Sequence, residues 1–94
     1  MGRFEQAARQ AWQELAPTAV AEMADPNQFF RELEKEAEAA WTELAAQLAG
    51  PDSPGETYFQ RVGRLEAAKL QALEMVLADW CRPPAEVIEE QGEA

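Results

Sequence analysis

The chain contains no histidine, a single cysteine and few bases, with eight Lys and Arg against eighteen Asp and Glu, for a net charge of −10. Each shortage excludes something. Without His the commonest general base and metal ligand is missing, and Cys81 alone cannot build an internal disulfide framework. So acidic a balance opposes the counterion release that drives binding to phosphate backbones, so no direct contact with nucleic acid is expected. No apolar run approaches the roughly 20 residues of a membrane span, and no secretory leader is evident. The expected setting is a reducing one, the cytoplasm. β-Branched residues are sparse, and polar and apolar residues nowhere alternate over a strand's length. The scattered glycines build no phosphate-binding loop.

What fills the chain instead is Ala, Glu, Gln and Leu, all strong helix formers, punctuated by prolines at 17, 26, 51, 54, 83 and 84. The expected fold is all-α. It is a single bundle-like domain over 1–94, an antiparallel hairpin of two long helices with a shorter N-terminal helix. Residues 1–24 form the N-terminal helical segment, broken near Ala16. The long helices cover 26–49 and 56–81, and 83–94 is an acidic tail with four Glu and no base. Asp25-Pro26-Asn27-Gln28 reads as an N-cap with a capping box, and Ser53-Pro54-Gly55-Glu56 repeats the logic. Gly50-Pro51 and Pro83-Pro84 are the stops.

The reactive groups in excess are carboxylates. Glu86/Glu89, Glu90/Glu93, Glu32/Glu36 and Glu34/Glu38 have helical i, i+3 or i, i+4 spacing, but no facing His or Asp pair completes a di-metal site. These read as solvated helix faces. Cys81 has no activating base and lies at a helix C-terminus, where the dipole disfavours a thiolate. No catalytic residue, cofactor or metal is therefore assigned, and the chain is not expected to be an enzyme.

Two helix faces carry the functional expectation. Helix 26–49 has an apolar arc of Phe29, Phe30, Leu33, Ala37, Ala40, Trp41, Leu44 and Leu48. Its opposite face carries Glu32, Glu34, Glu38 and Glu43. With Glu86, Glu89 and Glu90 of the tail, this acidic face is expected to meet a basic partner protein. Helix 56–81 places Tyr58, Phe59, Val62, Leu73, Leu77 and Trp80 on one broad face, into which Glu66 and Lys69 also point. That face is wider than one neighbouring helix needs, and a 94-residue chain buries a modest share of its surface, so a homodimer is expected. Glu66 and Lys69 are either boundary residues that snorkel or a buried pair that sets register across an oligomer interface. Arg61 and Arg64 suggest a weakly basic strip.

The function this implies is that of a small acidic, non-catalytic protein-binding or regulatory protein. It would dock on a partner, including a basic surface that normally holds nucleic acid, as an inhibitor or modulator. The alternatives are a scaffolding helical subunit that self-assembles and, as an outsider, a helical enzyme using carboxylate-bound metal.

Overall fold

Every proline sits where a helix starts or cannot continue. In a computed structural model, which describes residues 2–92, the chain forms α1 (Arg3–Leu15), α2 (Pro17–Glu22), α3 (Pro26–Ala49), α4 (Tyr58–Trp80) and α5 (Ala85–Gly92), with no strand among the described residues. Pro17 and Pro26 occupy the first helical positions of α2 and α3, where a missing N–H costs nothing. The break at Ala16 falls where it was expected. The fold is all-α and bundle-like.

The caps differ from expectation in two details. Asp25 accepts from the Gln28 amide at 3.1 Å, but the Gln28 side chain runs forward to Glu32 at 3.2 Å instead of back, so the capping box is half made. The Gln28 Nε2 donates to the Glu32 carboxylate, a charge-assisted bond stronger than the one its oxygen would accept from the Asp25 backbone N–H. The second long helix is capped not by Ser53 but by Thr57, whose hydroxyl accepts from the Gln60 amide while the Gln60 side chain accepts from the Thr57 amide. Gly55 is the reason. Its φ of 91° lies in the left-handed region, which a right-handed helix cannot traverse, so 53–56 is a turn.

Arg64 locks that turn. Its guanidinium donates to the carbonyls of Ala49 and Gly50 at the end of α3, and binds Asp52 at 2.6 Å and Glu56 at 2.8 Å. The hydrogen bond from Arg64 holds the Glu56 carboxyl below its ordinary range. Arg61 also pairs with Asp52, at 3.3 Å. The expected basic strip is thus spent on the loop's own acids.

α3 and α4 form the antiparallel hairpin, and its seam is built from small residues. α4 buries Ala68, Ala72 and Val76, while its larger apolar side chains lie to the side. The Trp41 indole N–H donates to the Lys69 carbonyl at 3.0 Å, which ties the two helices in register. A third layer exists at one end. There α1 runs antiparallel to α3, with Trp12 edge-on to Phe29 and Phe30 at centroid distances of 5.1 and 6.2 Å, and Phe4 edge-on to Trp41 at 6.2 Å. Phe4, Ala8, Trp12, Phe30, Leu33, Ala37, Val76 and Cys81 make the buried core, and Val87 of α5 packs against it. α5 also rests on α2.

Beyond Trp41 the hairpin continues as two helices. The radius of gyration is 16.9 Å, with extents of 58 × 24 × 15 Å. A compact chain of this length would have about 12 Å. The surface tells the same story: 6522 Å² is exposed, where a monomer of this mass exposes about 5,400 Å².

Candidate functional site

The expected acidic face does not exist as one surface. Glu34 is turned toward α1, where its Oε1 accepts from the amides of Phe4 and Glu5 at 3.1 Å each. It is the N-terminal cap of a helix some thirty residues earlier, and a Cβ at Gly2 would push the carboxylate out of that position. Oε2 is buried without a partner. Glu38 stands beside it, with its pKa raised above the ordinary value. Burial is the main cause, followed by the nearby Glu34 carboxylate and its charge, with Arg3 opposing. Arg3 itself stacks over the Trp41 ring at 4.7 Å. Glu34 therefore caps α1 with Glu38 beside it, on a different flank of α3 from Glu32 and Glu43.

Glu32 and Glu43 lie on the other flank of α3, and there the structure assembles an acidic surface that helix-by-helix reading missed. A groove of about 370 Å³ is lined by Trp12, Phe29, Glu32, Glu36, Asp79 and Trp80, with Arg82 and Pro84 at its α5 end. A neighbouring groove of about 180 Å³ shares Asp79 and Trp80 and adds Glu43. Trp80 is 41% exposed, a high figure for an indole beside the core. Asp79 carried no sequence signal, because α4 alone is nearly neutral and the register across the hairpin is what brings Asp79 to α3. Glu86, Glu89 and Glu90 are exposed on α5 and line neither groove.

The expected self-association face is divided as well. Tyr58 and Phe59 are 72% and 84% exposed, and Leu70 is 64% exposed. Val62 is also exposed, whereas Leu73 and Leu77 are half-buried against the core and Trp80 turns to the acidic grooves. Glu66 and Lys69 are both solvent-facing and pair with each other at 3.4 Å, as boundary residues would. Beside them, between α3 and α4, an apolar groove of about 270 Å³ is lined by Trp41, Ala45, Ala46, Ala49, Leu65 and Lys69.

Cys81 is buried, and its thiol donates to the Phe4 carbonyl at 3.5 Å. Burial first, and the Glu34 charge second, push its pKa up to about 11, which keeps it a protonated packing group at neutral pH. Among the described residues no group of three or more His, Cys, Asp or Glu is placed to hold a metal ion; the Glu90/Glu93 pair lies outside them, since Glu93 is not described. No helix among them is long and apolar enough to cross a membrane. Comparison of the chain with protein-family models, with curated proteins and with solved structures finds no match, so the functional reading rests on this geometry.

Proposed function

We propose that the chain is a non-catalytic, regulatory protein-binding module whose grooves around Asp79 and Trp80 receive a basic segment of another protein. One observation carries this reading: two adjoining grooves share those residues and are edged by Glu32, Glu36 and Glu43. An indole face beside carboxylates suits a guanidinium or ammonium group, through cation–π attraction and charge-assisted hydrogen bonds. The net charge of −10 speeds encounter with a basic surface, while the aromatic floor supplies affinity. Where that surface normally holds nucleic acid, occupation by this chain makes it an inhibitor or modulator.

The test compares partners captured from the native host by wild type, Glu32→Lys/Glu36→Lys and Trp80→Ala. All three should show the same far-UV dichroism. Both variants should lose the captured partner, Trp80→Ala with about 30-fold weaker binding if it is a hot spot. The wild-type association rate should fall steeply with salt. Retention of every partner by both variants, or a salt-independent rate, would overturn the proposal.

A further inference from the structure

A second inference uses a different face of α4 and does not depend on the grooves. Along α4, Phe59, Val62, Glu66, Lys69 and Leu73 recur at alternating three- and four-residue steps, the spacing of a helix-pairing seam. The seam is apolar at both ends and charged in the middle, and the middle is solvent-exposed in the single chain. We propose that two copies of this chain dimerise through α4, antiparallel about a two-fold axis between Ala67 and Ala68. Each Glu66 then lies opposite Lys69 of the second copy.

A two-fold interface requires that if residue i meets j, then j meets i. With the axis between 67 and 68, Glu66 meets Lys69 and Val62 meets Leu73. Both pairs are complementary, one in charge and one in apolar character. Shifting the axis by half a residue sets Glu66 against Leu70 or against Ala68, and a parallel pairing sets Glu66 against Glu66. Charge complementarity therefore selects one register. The exposed surface agrees in scale: the 6522 Å² of the single chain exceeds the monomer expectation by about 1,100 Å², against about 800 Å² per partner buried in a standard interface. Phe59, 84% exposed, falls between the second copy's Leu73 and Leu77.

Sedimentation equilibrium at micromolar concentration, on wild type, Glu66→Lys, Lys69→Glu and the double reversal, tests the proposal. Wild type should be dimeric. Each single reversal should weaken dimerisation at least tenfold, and the double reversal should restore it. A monomeric wild type, indifferent single variants or a double variant that stays weak would overturn it. The reversal also restores the pair within one chain, so register is read separately with spin labels at Gln71 and Ala78 in a Cys81→Ala background. The two copies of a label should be offset along the axis by about 10 Å at 71 and about 31 Å at 78. Equal separations at the two positions would refute the antiparallel arrangement.

Discussion

Glu34 shows how one side chain can change from a surface charge to a structural bond. Two free amides of α1 end on its Oε1, and the other oxygen is buried. Glu34→Ala should destabilise the protein by about 1–2 kcal/mol, the cost of a lost helix cap, with Glu34→Gln costing less because one acceptor remains; urea titration decides. Charge reversal at Glu34 is for the same reason a test of folding and not of partner binding. Glu38 gives a pH signature. Its carboxyl pKa is raised in the fold, so the ionised form carries a penalty above that pKa, which is relieved as pH falls through it and is gone below the unfolded value. Glu38→Gln removes the penalty and offers a donor to Glu34. The variant should be more stable than wild type at neutral pH, and the advantage should vanish below the carboxylate range. A pH-independent difference between the two melting curves would contradict this.

At the scale of the helices, the question is where each begins and which face it buries. Thr57→Ala should cost about 1 kcal/mol, whereas Ser53→Ala, outside the helix, should fall within about 0.5 kcal/mol of wild type; thermal melts of the two variants separate the alternatives. The caps were half legible from the chain. Asp25 and Pro26 announce α3 because everything they bond lies within one turn. The start of α4 was misplaced because two capping-box patterns, Ser53 with Glu56 and Thr57 with Gln60, lie four residues apart, and the positive φ of Gly55 chooses between them. The buried face of α4 was less legible. Hydrophobic pattern points to Tyr58, Phe59, Val62 and Leu70, yet the close approach of two helices is met by Ala68 and Ala72. Size of apolar side chain and depth of burial part company there.

For the whole molecule the central fact is uneven support. One end of the hairpin is roofed by α1, whereas the half beyond Trp41 is two-layered, and local stability should follow that division. Amide exchange should be slowest around Phe30, Ala37 and Val76 and faster by orders of magnitude in residues 45–49 and 58–66. If α4 pairs as proposed, protection of 58–66 and of the facing 69–77 should rise with protein concentration, while α1 and the start of α3 stay unchanged. Hydrogen exchange at two concentrations measures both effects, and uniform protection along the hairpin would contradict the first.

The local chemistry of the chain determined its helices: prolines and small polar caps set the boundaries, residues without strand propensity set the class, and the short joint between Ala49 and Tyr58 made the two long helices antiparallel. Those are interactions over a few residues, and they can be read where they stand. Tertiary structure alone decided which acids remain on the surface. Glu34 was claimed by α1, while Asp79 joined Glu32, Glu36 and Glu43 from across the hairpin. It also decided that Arg64 closes a loop and that Phe59 is left uncovered by its own chain. The reason is the same in each case: a helix's own period says which residues share a face, but not which neighbour will reach that face, since that depends on how far α1 extends and how closely α3 and α4 approach.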